Sequence, residues 1–117
     1  MSQPNPYYPG TTYMLTRRTS ERRFFLKPDP ATASTLLYTL AVYASKHQVK
    51  VHSFVFMSNH IHLIVTDMMG NLPDFTRDFY SSSARVINRR LGRRESLWAA
   101  GEGGFMTLLT EPTLVVI

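Results

Sequence analysis

The chain has 117 residues, no cysteine and a formal net charge of +5. Its length is that of one ordinary domain, and the absence of cysteine excludes disulfides, thiolate metal sites and a cysteine nucleophile. No apolar run approaches the roughly 20 residues that span a bilayer, and residues 1–10 lack the charged start and apolar middle of a signal peptide. We therefore expect a cytoplasmic protein with no membrane segment.

The positive charge is concentrated in two short segments. Residues 17–27 carry five cations against one acid, and residues 77–94 carry six against one. Ten of the thirteen cations are arginine, whose guanidinium group matches phosphate oxygens better than an ammonium group does. This pattern favours a nucleic-acid partner, although other anions also fit.

The first 27 residues predict an arm, a strand and a connector. Residues 1–10 contain three prolines and indicate a flexible arm. Residues 12–17 are rich in Thr and aromatic or apolar residues, which predicts a strand. Residues 19–27 form a basic connector between this strand and the next element.

A first helix is predicted from Pro28-Asp29-Pro30 to about Lys46 or His47, because proline is tolerated in the first turn of a helix. Apolar residues recur at helical spacing and predict one buried stripe, formed by Ala33, Leu36, Leu37, Leu40, Ala41 and Ala44.

A hairpin follows. Residues 49–57 alternate as a strand with two usable faces, and the return strand covers residues 60–66. Ser58 and Asn59 form the tight turn between them, since Asn tolerates a positive φ. On the return strand, one face carries Ile61 and its apolar neighbours at every second position.

The second helix is predicted from Leu72 or Pro73 to about Arg90. Asn71 is the expected cap, and Gly92 ends the helix. Its apolar face combines Leu72, Phe75 and Phe79 with a position near Val86–Ile87.

The last segment predicts a short strand at residues 105–109 and a further helix start at Thr110. That helix has only one turn before the sequence stops at an apolar end, and one turn is not stable alone. We therefore expect the sequence to be a truncated form of a longer protein.

The order of these elements predicts an α+β fold of the ferredoxin-like, split βαβ type. Helices would cover one face of an antiparallel sheet and leave the other face open. Residues 11–117 would form a single domain behind the flexible arm of residues 1–10.

The pair His60 and His62 is the strongest chemical signal. Histidines two positions apart on a strand project from the same face, here the face predicted to lack helices. Two imidazoles at this spacing fit a divalent metal, with Asn59 and acids from elsewhere completing the coordination sphere. The alternative is that both histidines merely decorate an open sheet.

The sequence around the pair, residues 57–65 (MSNHIHLIV), resembles the His-hydrophobe-His (HUH) motif of single-tyrosine insertion-sequence transposases, especially the REP-associated tyrosine transposases. Residues 70–72 (GNL), residues 84–93 (ARVINRRLGR) and the Leu97-Trp98 pair are similar to later segments of that family. Residues 13–18 resemble its first strand. The similarity covers roughly residues 12–98.

The resemblance implies a ferredoxin-like sheet and a homodimer that acts on single-stranded DNA, commonly a hairpin. It implies that His60 and His62 hold Mg²⁺ or Mn²⁺ on the scissile phosphate. A tyrosine would then attack phosphorus and form a phosphotyrosine intermediate for DNA cleavage and rejoining. The chemistry fits, because a tyrosine hydroxyl is a poor nucleophile at neutral pH without such help.

The sequence departs from the family at the nucleophile. The family's tyrosine lies on a helix after the Leu-Trp segment, and no residue after Trp98 is tyrosine. Tyr80, beside Arg77 on the second helix, is the remaining candidate catalytic residue, although its surroundings favour a packing role. The domain is therefore expected to lack its nucleophile helix.

Seven arginines are candidate DNA contacts. Arg85, Arg89 and Arg93 have the i, i+4, i+8 spacing of one helical stripe. Of Arg17 and Arg18, only one faces the sheet side that carries the histidines. The complete set is Arg17, Arg18, Arg22, Arg23, Arg85, Arg89 and Arg93.

Three functions remain open at this point. The first is a metal-dependent DNA transposase domain, and the second is a non-catalytic nucleic-acid-binding module of the same fold. The third is a small metal-dependent phosphodiesterase, which needs carboxylate ligands. Asp67 and Glu102 are the candidate acids.

Overall fold

A computed structural model describes residues 9–99, and the backbone of residues 105–109. The elements are β1 (Thr11–Arg18), a 3₁₀ turn (Ser20–Arg22), α1 (Pro30–Lys46), β2 (Val49–Met57), β3 (His60–Asp67), α2 (Leu72–Leu91) and β4 (Phe105–Leu109). The strands form one sheet in the order β2-β3-β1-β4, and all neighbours are antiparallel. β3 lies between the two strands that α1 connects, so the predicted ferredoxin-like, split βαβ fold is confirmed.

Residues 1–8 of the predicted arm (residues 1–10) and the predicted helix start at Thr110 lie outside the described residues. Within the described part of the chain, no helix is long and apolar enough to cross a membrane.

The sheet has two unlike faces because side chains alternate along each strand. On β3, Ile61, Leu63 and Val65 are 0–1% exposed under the helices, whereas His60 and His62 lie on the opposite, half-buried face. From α2 the core receives the predicted residues Leu72, Phe75, Phe79 and Ile87. The prediction of helices on one face only is confirmed.

The buried face of α1 differs from the predicted stripe. Leu36, Leu40 and Ala44 are buried as expected, but Leu37 and Ala41 are exposed. Three threonines, Thr32, Thr35 and Thr39, are buried instead. The Thr39 hydroxyl donates to the Thr35 carbonyl oxygen at 2.7 Å. A threonine can be buried in a helix when its hydroxyl donates to a carbonyl oxygen of the preceding turn, because no hydrogen-bond donor is then left without a partner. A prediction of the buried stripe from apolar residues alone overlooks such threonines.

β2 does not alternate uniformly. A bulge between Val51 and Ser53 shifts the register, so that Val51 lies opposite Val65 and Phe54 lies opposite Leu63. The core-facing positions therefore change parity at the bulge, because the extra residue reverses the side-chain alternation.

Asn71 is the N-cap residue of α2, as predicted, but its side chain does not do the capping. The fully buried Asp67 carboxylate accepts the N–H groups instead, from Gly70 at 2.9 Å, Asn71 at 3.1 Å and Leu72 at 2.9 Å. A carboxylate three to five residues upstream thus accepts these N–H groups and complements the helix dipole.

Candidate functional site

The two histidines of β3 form the centre of the site. Their ring centroids are 4.8 Å apart and the ring planes are nearly perpendicular, at 87°. They lie on the open face because Ile61, between them, is buried under the helices. The short hairpin turn places Asn59 directly beside the first ring. Neither Ser58 nor Asn59 has a positive φ, so the predicted reason for asparagine in this turn is wrong.

Each ring has a partner at Nδ1. The Nδ1 atom of His60 lies 2.8 Å from Asn59 Oδ1, and that of His62 lies 3.0 Å from Thr16 Oγ1. Both partners leave the Nε2 atoms available for a ligand. Partners of this kind orient metal-binding histidines. The amide oxygen of Asn59 contacts the His60 ring, and its role in completing a coordination sphere stays a prediction.

The electrostatic surroundings favour a neutral His60 ring. Burial, the neighbouring His62 and the Arg18 guanidinium together hold the pKa of His60 below its usual value. A neutral ring has a nitrogen lone pair that can bind a metal ion or accept a proton.

Two arginines share the pocket of the histidines. A cavity of about 260 Å³ is lined by Thr16, Arg18, Arg22, Asn59, His60 and His62. Arg18 lies opposite His60 in the β1–β3 register, which places it on the open face. Arg22 lies on the connector between β1 and α1. A concave site lined by two arginines and two histidines suits a phosphate and a divalent cation.

Arg17 lies on the other face of the sheet, as expected for the neighbour of Arg18. Its guanidinium carbon is 4.6 Å from the centroid of the Tyr80 ring, and it donates to the Ala99 carbonyl oxygen at 3.3 Å. The prediction that only one of this arginine pair faces the histidines is confirmed, and Arg18 is that residue.

Tyr80 is 7% exposed, within the core on the helix side. Its ring contacts Phe79 and Trp98, and the Trp98 indole donates to the Tyr80 carbonyl oxygen at 3.0 Å. Burial raises the pKa of Tyr80 to about 12, although the nearby Arg17 charge acts in the opposite direction. These surroundings favour the packing role.

The remaining predicted DNA contacts do not join the histidine pocket. Arg85 and Arg89 lie on a groove between α1 and α2, on the helix side. Arg23 contacts the Phe25 ring, with 5.1 Å between its guanidinium carbon and the ring centroid. The predicted three-residue stripe is wrong because α2 ends before Arg93, which instead lies 4.0 Å from the same ring centroid.

Asp67 is unavailable as a third metal ligand, because both carboxylate oxygens accept backbone N–H groups at the start of α2. Glu102 lies outside the described residues. Within the part that is described, no group of three His, Cys, Asp or Glu side chains could hold a metal ion. The acidic ligands that the phosphodiesterase hypothesis needs are therefore not found there.

Sequence reasoning missed Thr16, the partner of His62, and it also missed Thr19, which organises the site. Thr19 is 1% exposed, and its hydroxyl donates to the Arg23 carbonyl oxygen at 2.6 Å. The same hydroxyl lies 3.1 Å from the Asn59 carbonyl oxygen. A threonine in a basic connector carries no sequence signal for this role, because its partner on the hairpin turn is 40 residues away.

Comparison with known proteins places this geometry in a family. Residues 8–104 match the family described as "Transposase IS200 like". A solved structure from Deinococcus radiodurans R1, provisionally assigned as a transposase, has 20% sequence identity and a TM-score of 0.68, over 99% of this chain and 92% of that chain. A REP-associated tyrosine transposase bound to a REP hairpin has 15% identity and a TM-score of 0.70, over 95% of this chain and 64% of that chain.

At these identities the two structures show a shared fold, and this chain spans 64% of the length of the second protein. No curated protein matches the sequence. The family match covers well over half of the chain and includes the His60–His62 strand, the arginine connector and both helices. The chain therefore belongs to the IS200-like transposase family.

Proposed function

We propose that this transposase-family domain binds single-stranded DNA on the open face of its sheet, with one phosphate in the pocket formed by His60, His62, Arg18 and Arg22. The observation that carries the proposal is the convergence of two imidazoles, each with its Nδ1 atom engaged, in a pocket that two arginines also line. This combination of groups suits a metal-assisted contact with a phosphodiester.

The residues present fit Mg²⁺ or Mn²⁺ as the bound ion. His60 and His62 would hold it through their Nε2 atoms, and the lowered pKa of His60 reduces competition from protons. When bound, such an ion supplies Lewis-acid polarisation of a phosphodiester. Further ligands would come from the DNA, from solvent or from outside the described residues.

The chain's own groups would bind and orient the DNA strand. Arg18 and Arg22 neutralise phosphate charge, and Arg22 lies on a connector whose backbone is bonded to the hairpin turn. The REP-associated relative is bound to a hairpin, and we propose a hairpin-forming single strand as the ligand here as well. The homodimer remains a prediction, which light scattering with and without DNA would test.

Strand cleavage through a phosphotyrosine intermediate needs a tyrosine near this pocket. The tyrosines within residues 9–99 are Tyr13, Tyr38, Tyr43 and Tyr80, and all lie in the core or on the two helices. This observation favours the second candidate function, a nucleic-acid-binding module that is not catalytic by itself.

Metal and DNA binding test the first proposal. Mn²⁺ binding, followed by the electron paramagnetic resonance signal of the free ion, should weaken at least 10-fold in a His60→Ala, His62→Ala variant. Metal-dependent binding of a fluorescent hairpin should be lost with it. His52→Ala is the matched control, since His52 is an exposed histidine of the same sheet that bonds to Thr66. Equal Mn²⁺ affinity in the double variant and the parent would refute the metal site.

A covalent assay separates the two candidate functions. The chain is incubated with end-labelled hairpin DNA and Mn²⁺, and the products are resolved on a denaturing gel. A protein–DNA adduct would show a nucleophile within the 117 residues, and Tyr80→Phe would then be the first variant to examine. Retardation on a native gel without an adduct would support the binding module.

A further inference from the structure

The side chain of Asn59 makes two hydrogen bonds of opposite direction. Its Nδ2 donates to the Arg22 carbonyl oxygen at 3.2 Å, and its Oδ1 lies 2.8 Å from His60 Nδ1. A backbone carbonyl oxygen only accepts, so the contact with Arg22 determines which end of the amide carries the nitrogen. The amide oxygen must then point at His60.

This orientation determines the tautomer of His60. Because an amide oxygen only accepts, the Nδ1 atom of His60 must carry the proton, and the lone pair of the neutral ring lies on Nε2. The neighbouring ring is not constrained in the same way. His62 Nδ1 faces the Thr16 hydroxyl, which either donates or accepts.

The other end of Asn59 holds a strained backbone. Glu21 and Arg22 both have a φ of 55°, in the left-handed region that residues other than glycine rarely adopt. Such strain persists only where surrounding contacts enforce it. Here the Thr19 hydroxyl donates to the Asn59 carbonyl oxygen at 3.1 Å, and the Leu26 N–H donates to the Ser58 carbonyl oxygen at 2.9 Å. These bonds fasten the connector to the hairpin turn with Arg22 in the pocket.

We propose that Asn59 is a positioning residue that acts on both halves of the site at once. It holds His60 in the tautomer with a free Nε2 lone pair, and through the same amide it holds the Arg22 backbone beside that ring. That His60 binds a metal ion and Arg22 binds a phosphate rests on the proposed function. The coupling between them rests only on the hydrogen bonds.

The first test needs neither metal nor DNA. Long-range ¹⁵N–¹H correlation spectra of the metal-free chain at pH 8 report which nitrogen of each histidine is protonated. We expect the Nδ1–H form for His60 in the parent and a shift towards the Nε2–H form in Asn59→Leu, with His52 unchanged in both. An unchanged His60 tautomer in the variant would overturn the proposal. Asn59 has no positive φ, so the variant should retain the backbone of the turn.

The second test separates the two contacts of Asn59. Asn59→Asp keeps an acceptor for His60 but cannot donate to Arg22. Outer-shell partners of metal ligands are worth about 10- to 100-fold in metal affinity. Mn²⁺ affinity should therefore fall about 10-fold or more in Asn59→Leu and remain within about 3-fold of the parent in Asn59→Asp.

DNA affinity in the absence of metal should instead fall in both variants. The added charge of the Asp variant is controlled with Ser58→Asp, which places a carboxylate one residue away and leaves Asn59 intact. Asn59→Asp should bind DNA several-fold more weakly than Ser58→Asp. Equal DNA binding by these two variants would remove the Arg22 half of the proposal.

The two proposals fail in different ways. If the parent chain binds neither Mn²⁺ nor DNA, the proposed function fails while the tautomer measurement still tests Asn59. If the parent binds both and Asn59→Leu has parental affinities and an unchanged His60 tautomer, only the positioning role fails.

Discussion

The two faces of the sheet differ in composition, although the same strands form both. On β3, Ile61, Leu63 and Val65 are almost completely buried, whereas His60 and His62 remain half-buried and carry polar partners. The covered face holds the fold together through apolar burial. On the open face, side-chain hydrogen bonds orient the two imidazole rings. Substitutions on the two faces should therefore separate stability from binding.

The largest expected effect is on the covered face. Phe79→Ala removes a ring that is 0% exposed and should lower the free energy of unfolding by about 4 kcal/mol, because the cavity closes only partly. Chemical denaturation measures this. Val55→Ala, at a position 47% exposed on the open face, is the control and should cost less than about 1 kcal/mol. Similar losses for the two variants would contradict the asymmetry between the faces.

The next effect is at the end of β3, where the strand meets α2. Asp67→Ala leaves the N–H groups of Gly70, Asn71 and Leu72 without their buried acceptor. We expect a loss of about 2–3 kcal/mol in the free energy of unfolding. Asp74→Ala removes an exposed acid from the first turn of the same helix and should change stability by about 0.5 kcal/mol or less. Denaturation curves that rank the two variants the other way would refute capping by Asp67.

A smaller effect concerns DNA affinity and compares the two basic regions. A plot of log affinity against log salt has a negative slope. Arg22→Ala should make that slope shallower by about 0.7, the value for one phosphate contact on a single strand. Arg89→Ala lies on the helix side and should leave the slope unchanged. Fluorescence anisotropy titrations at several salt concentrations measure both slopes. An equal decrease for Arg89→Ala would mean that the DNA also contacts the helices.

The smallest effect is a pH dependence on the helix side. Hydrogen bonds from His47 and Arg77, and the charges of Arg77 and Lys46, hold the pKa of Asp78 below its usual 3.8. A lowered carboxylate pKa stabilises the fold above the unfolded value and loses this contribution as the pH falls through the folded value. The free energy of unfolding of the parent should therefore fall more steeply below about pH 4 than that of Asp78→Asn. Parallel pH profiles would exclude this contribution.

Local sequence patterns determined most of the fold. The alternation on β3 placed both histidines on one face, and the helical spacing of Leu72, Phe75 and Phe79 identified the buried side of α2. These inferences succeeded because the periods of strands and helices are properties of neighbouring residues. The MSNHIHLIV motif likewise carried the family resemblance, which the family match confirms.

Tertiary structure decided the details that depend on distant segments. The bulge in β2, the buried threonines of α1 and the capping role of Asp67 follow from how the elements pack and from which buried donors need an acceptor. The Asn59 side chain joins His60 to Arg22, a connector residue that lies 37 positions before Asn59 in the sequence. No local period contains such a contact, so only the folded chain could show that one amide serves both halves of the site.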